Sequence, residues 1–146
     1  MNASETLQRK IRSAIPLSDA MQFGIESLDM DAIEVKAPLP PNVNIHGTGF
    51  AGSIYSIAVL TGWALCTHIL ESLEIDAELV VAKAEIRHRA PVTGDLRCHT
   101  SVSAGDREQF LRGIRDKGKG RLALTIEVGD EPAAVLQATY WAISRA

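Results

Sequence analysis

The chain has 146 residues, 46% hydrophobic and 23% charged, with a formal charge of -3. That length suits one domain over residues 1–146, and the ordinary apolar share with so small a net charge excludes a disordered chain. The slightly acidic balance argues against a general nucleic-acid binder, which needs a positive field for the phosphate backbone.

In chain order, Ser4 is placed to cap a short helix whose apolar positions Leu7, Ile11 and Ala14 share a side, and Pro16 ends it. After Gly24, Ile25 to Val35 reads as a strand or hairpin, with Ile33 and Val35 alternating against Glu34 and Lys36. Pro38, Pro40 and Pro41 impose an extended loop that carries Asn42, Asn44 and His46 into the run Gly47-Thr48-Gly49-Phe50-Ala51-Gly52-Ser53. A long helix from about Ser53 to Ser72 follows. From Phe50 to Leu70 no residue is charged, a length that suits a bilayer, but Gly52, Ser53, Ser56, Thr61, Gly62, Thr67 and His68 dilute it. The expectation is a helix buried inside a protein, apolar all round, and no membrane.

Beyond that helix the chain alternates with period two, the pattern of strands with one buried face. Val80, Ala82, Ala84, Ile86 and His88 are expected on one face, with Val81, Lys83, Glu85, Arg87 and Arg89 on the other. Leu96, Cys98, Thr100 and Val102 oppose Arg97, His99, Ser101 and Ser103. Phe110, Arg112 and Ile114 lead, as a strand, to a hairpin turn at Lys117-Gly118-Lys119-Gly120. Leu122, Leu124, Ile126 and Val128 form the return strand, Gly129 to Pro132 turns again, and Ala134 to Ile143 closes the sheet. An apolar helix of some 20 residues, ~30 Å long, needs cover on most sides, which a strongly twisted antiparallel sheet curling around it supplies.

Cys66 and Cys98 lie in apolar segments, with no Cys-x-x-Cys and no Cys/His pair at ligand spacing. Both are expected to be reduced and buried; no disulfide, metal site or cofactor is indicated. The first residues lack the basic flank and apolar run of a secretory signal, so the expected compartment is the cytoplasm.

The order of elements resembles the α+β hot-dog fold. Ala37-Pro38-Leu39, Asn42, Asn44, His46-Gly47-Thr48, Phe50-Ala51-Gly52-Ser53 and Gly62-Trp63 are similar to a bacterial thioesterase group also found fused behind an acetyltransferase domain. Ile15-Pro16-Leu17 and Ala20-Met21 upstream, with Pro91 and Asp95 downstream, fit the same pattern over roughly positions 15–143. The resemblance implies a homodimer or larger assembly with sheets joined edge to edge and acyl-thioester sites at the subunit boundary. It also implies that backbone N–H groups at the start of the central helix, here Gly52 and Ser53, face the thioester carbonyl. Such groups lack internal partners and carry partial positive charge, so they form an oxyanion hole where glycines admit an oxygen. A second reading stands beside it: Gly47, Gly49 and Gly52 serve a tight approach to the helix, with Ser53 an ordinary N-cap.

The chain departs from the resemblance at one place. Related proteins put an Asp or Glu one to three turns into the helix, whereas Ser53 to Leu70 holds no carboxylate, and Glu71 lies ~27 Å along the axis. His46 is then the best base, imidazole being the side chain that exchanges protons near neutrality. Asn44 would orient water or the thioester. Thr48, Phe50, Thr61, His88, Arg87 and Arg89 are the expected substrate contacts. Plain alternatives remain: His46 bonding loop backbone, Asn44 forming an Asx turn, and His68 packed in the core. Arg112, Arg115, Lys117, Lys119 and Arg121 around the single acid Asp116, with Arg87, Arg89 and Arg97 nearby, suit a phosphate or a solvated hairpin tip equally. The expected activity is hydrolysis of an acyl-CoA or acyl-carrier-protein thioester. A non-catalytic acyl-thioester binding module and a hot-dog dehydratase are the alternatives, the latter weakened by the lack of an acid near Asn44–Thr61.

Overall fold

The computed structural model describes residues 1–146. Helix α1 (Ala3–Ala14) and the short α2 (Pro16–Ala20) precede a hairpin of β1 (Gly24–Leu28) and β2 (Ala32–Ala37). A 3₁₀ turn at Pro40–Asn42 leads to the long α3 (Ala51–Ser72), then β3 (Ala77–His88), β4 (Leu96–Ser101), α4 (Ala104–Lys117), β5 (Lys119–Val128) and β6 (Ala134–Ser144). The cap of α1 is Asn2, not Ser4: Asn2 Oδ1 accepts from the Glu5 N–H at 2.9 Å, and Ser4 Oγ donates to the same oxygen. Pro16 both ends α1 and starts α2, because its missing N–H and fixed φ suit a first helical position.

The six strands form one antiparallel sheet in the order β1-β2-β4-β5-β6-β3. Its inner face curls around α3, which packs on β2, β3, β4, β5 and β6. The uncharged helix is therefore a core helix: it has a mean hydropathy of 1.5 over 18 residues, and 67% of that window is buried. Cys66, on this helix, and Cys98, on β4, are free and buried. Burial pushes both thiols up to about 12.

Two further sequence expectations fail, each for a local reason. In β3 a bulge between Val81 and Lys83 leaves Ala82 without a cross-strand partner and reverses the alternation. Val81 pairs with Tyr140, Ala84 with Ala138, Ile86 with Leu136 and His88 with Ala134, all inner-face partners that are buried. The inner set is thus Ala77, Leu79 and Val81, then Ala84, Ile86 and His88, while Val80 pairs with Trp141 on the outer face. The other failure is α4, which occupies a stretch read as strand and hairpin. Ser103 Oγ accepts from the Asp106 N–H at 3.1 Å, Phe110 and Ile114 bury one side, and Gly118 ends the helix at φ +76°. Arg115 and Lys117 stand in its last turn, where positive charge suits the exposed carbonyls, rather than at a hairpin tip.

Candidate active site at the start of the central helix

The loop before α3 is a small hairpin built on one side chain. Asn44 Oδ1 accepts from the N–H groups of His46 (2.8 Å) and Thr48 (3.1 Å), while Nδ2 donates to Thr48 Oγ1 (2.9 Å) and Gly49 O (3.2 Å). Gly47 takes φ +79° at the turn, where a side chain would be strained. The Gly49 N–H donates to Val92 O at 2.7 Å, and a Cβ at Gly49 would stand 2.9 Å from Val92 Cβ, so glycine is required there by close approach. Below the loop, buried Asn42 ties three segments together. Its Nδ2 donates to Met21 O (2.9 Å) and Pro38 O (2.8 Å), and its main-chain oxygen accepts from Phe50 N (2.7 Å).

This frame holds the start of α3 open. The cap position is Phe50, which offers no side-chain acceptor, and the first helical N–H with a partner is that of Ile54, on Phe50 O at 2.9 Å. The N–H groups of Ala51, Gly52 and Ser53 are left as donors without acceptors. Ser53 is the third helical residue, three places past the cap position held by Phe50. Gly52 has a second reason to lack a side chain: its Cβ would lie 2.5 Å from Cε2 of the Phe50 ring, which folds over it while 52% exposed.

The structure gathers Asn44, His46, Thr48, Phe50, Gly52 and Ser53 at this junction. His46 is exposed, its main chain held by Asn44 and its imidazole free. His88 and Arg89, at the end of β3, lie a few residues before Val92, which grips Gly49, so the chain leaving β3 borders the same loop. Arg87 is on the outer face opposite Val135, in a shallow depression with Glu85, Arg89 and Gln137. Thr61 is fully buried, its hydroxyl donating to Ile57 O at 2.7 Å, ~12 Å along the helix from Ser53. His68 is half-buried rather than in the core, with Nδ1 3.5 Å from Ser72 Oγ; partial burial lowers its pKa while Asp29 and Glu71 act to raise it.

Sequence reasoning missed Val92, which sits 43 residues beyond Gly49. It also missed the role of Gly62 in the Gly-Trp pair. Tyr140 Oη, fully buried, donates to Val59 O at 2.7 Å, and a Cβ at Gly62 would lie 2.2 Å from that oxygen.

A single antiparallel sheet curled around one long helix, with a loop–helix junction opening at its edge, is the hot-dog fold of thioesterases. Residues 4–144 match the model of a family described as putative thioesterase (yiiD_Cterm), and the chain belongs to that family. It is 32% identical to a putative thioesterase from Shewanella oneidensis, covering 96% of each chain at a TM-score of 0.85. A protein of unknown function from Chlorobaculum tepidum TLS is 27% identical, with 97% and 94% of the two chains covered and a TM-score of 0.92. A probable thioesterase from Pseudomonas aeruginosa shares the fold at 23% identity, TM-score 0.86, over 99% and 97% of the chains.

Proposed function

We propose that this chain hydrolyses the thioester of an acyl-CoA or acyl-carrier protein, in the cytoplasm, at the start of α3. The observation that carries the reading is the unpartnered set of N–H groups at Ala51, Gly52 and Ser53. A carbonyl oxygen set against them gains negative charge as water adds to its carbon, and fixed donors stabilise that charge. His46 takes the water's proton; the C–S bond then breaks as the oxyanion collapses, and the leaving thiolate receives that proton from the His46 imidazolium. Asn44 holds the loop that presents His46, and Arg89 meets phosphate on the carrier. Losing one oxyanion donor typically costs about 2.7–4 kcal/mol of transition-state stabilisation. The working unit is a homodimer or larger, since β3 is twelve residues long, pairs only with β6, and exposes Val80 and Val81.

A second reading, an acyl-thioester binding module, is favoured by the absence of any carboxylate from Ala51 to Leu70 and by the Phe50 ring lying over Gly52. One experiment separates them: purified protein with a panel of acyl-CoAs, followed by free-thiol detection. The hydrolase releases thiol, loses most of its rate as His46→Ala, and loses it as Phe50→Asp, whose carboxylate caps the helix and occupies the donors. Saturable binding without thiol release selects the module, and turnover unaffected by Phe50→Asp rejects the helix start as the site.

A further inference from the structure

An apolar cavity of about 220 Å³ lies along α3, beside the junction. It is an open groove, lined by Leu17 and Met21 from the N-terminal segment, Val59, Leu60 and Trp63 from α3, and Val81 from the bulge of β3, with Leu17 and Val81 exposed; Ser56 is its one polar lining residue. At 3.6 residues per turn, Gly52, Ser56, Val59 and Trp63 fall on one stripe of the helix. The cavity therefore begins one turn beyond the open N–H groups, on the same stripe of the helix as Gly52.

Trp63 stands at its far end and also lines a second cavity of about 550 Å³, whose other walls include Lys10, Glu71, Glu74, Asp76 and Glu78. The indole is half-buried, and its Nε1 donates to Leu79 O at 3.3 Å, fixing it between α3 and β3. One side of this ring is hydrocarbon; the other mixes Leu70, Ile75 and Leu79 with the ion pairs Lys10–Glu71 and Arg145–Asp76. A chain running from Ser56 to Trp63 lies against hydrocarbon for seven residues of helix, ~10 Å, and past the ring it would meet the two ion pairs.

We infer that this cavity receives the hydrocarbon of the acyl group and that Trp63 is the stop that sets a medium chain length. The inference rests on the thioester reading of the same junction. In an apolar pocket one methylene too many costs roughly tenfold or more in kcat/KM, so the wild-type rate falls steeply once the chain reaches the indole. In Trp63→Ala the partition is gone and that steep fall is erased, extending turnover to longer acyl groups. Val59→Phe shortens the pocket and moves the optimum the other way.

The test has two arms. The first compares kcat/KM over saturated acyl-CoAs from acetyl to hexadecanoyl for wild type, Trp63→Ala and Val59→Phe. The second uses Trp141→Phe, which leaves Trp63 as the only tryptophan, and follows its emission with S-alkyl-CoA thioethers that cannot be hydrolysed. The expected result is no response to short chains and a shift once the chain is long enough to touch the ring. Trp63 emission that ignores chain length, or an unchanged chain profile in both folded variants, overturns the inference even if thiol is released. A length-dependent shift without any thiol release upholds the pocket and overturns hydrolysis instead.

Discussion

The helices α3 and α4 answer the same physical problem, unpaired amide groups in the first turn, in opposite ways. The start of α4 is closed by Ser103 and its end by Gly118 with Arg115 and Lys117 in the last turn. The far longer α3 begins at Phe50 with no side-chain cap and no acid in its first turn. Capping residues are available to this chain, since Asn2 also caps α1. Stability alone therefore does not explain the open start of α3; under the proposed function these donors are held for an incoming oxygen. The two helices also meet the sheet differently: α3 approaches a side chain at Gly62, α4 approaches bare backbone at Gly113 and Gly120.

That second difference gives the largest expected effect. A Cβ at Gly120 would stand 2.2 Å from Phe110 O, and one at Gly113 would stand 2.8 Å from Lys119 O. Neither backbone can yield without lifting α4, so Gly120→Ala should cost about 3–4 kcal/mol in urea unfolding. At Gly62 the obstacle is the tip of Tyr140, which can tilt away at the expense of its bond to Val59 O. Alanine also gains about 1 kcal/mol of helix propensity. Gly62→Ala should thus lose only about 2 kcal/mol, and adding Tyr140→Phe should recover part of it. Equal losses at the two glycines would erase the contrast.

An intermediate effect comes from the dry layer between α3 and the sheet. Cys66 and Cys98 are pushed up to about 12 by burial, and Tyr140 is raised as well. An acid whose pKa is higher folded than unfolded holds its proton more tightly in the folded chain. Its contribution is complete below the unfolded value, ~8.5 for a thiol, and is lost as pH rises from there toward the folded value. The two thiols together should remove about 3 kcal/mol within about one pH unit above that point. Denaturation midpoints measured from neutrality upward test this, with a Cys66→Ala/Cys98→Ala variant expected to give a flatter curve. A wild-type curve level through about pH 11 would contradict so dry a layer.

The same contrast explains what the residues disclosed before any coordinates. The place of α3 was readable because twenty uncharged residues need cover, and the loop–helix junction because Asn44 to Ser53 are neighbours in the chain. By contrast, α4 carried two patterns at once. Phe110, Arg112 and Ile114 alternate as a strand would, while Ser103 with Asp106, the four-residue spacing of Phe110 and Ile114, and Gly118 spell a capped helix. Over five residues period two and period 3.6 are hard to separate. The bulge in β3 was hidden because Val80, Val81 and Ala82 are apolar in both phases. Val92 against Gly49, Tyr140 against Gly62 and Trp63 against Leu79 join residues brought together only by sheet order, and no local spacing announces them.

The smallest expected effect tests the caps themselves. Ser103→Ala removes the acceptor for the Asp106 N–H and should lower stability by about 1 kcal/mol, about 2–4 °C in Tm for a chain this size. Asn2→Ala removes the acceptor for Glu5 N–H and Ser4 Oγ at an exposed chain end. The helix there can fray at little cost, so only a few tenths of a kcal/mol should be lost. Neither change touches the first turn of α3, so thiol release at saturating acyl-CoA should stay at the wild-type rate in both. A drop in turnover for Ser103→Ala out of proportion to its lost stability would tie the capped helix to the site. The two helix starts would then share one role instead of dividing stability from chemistry.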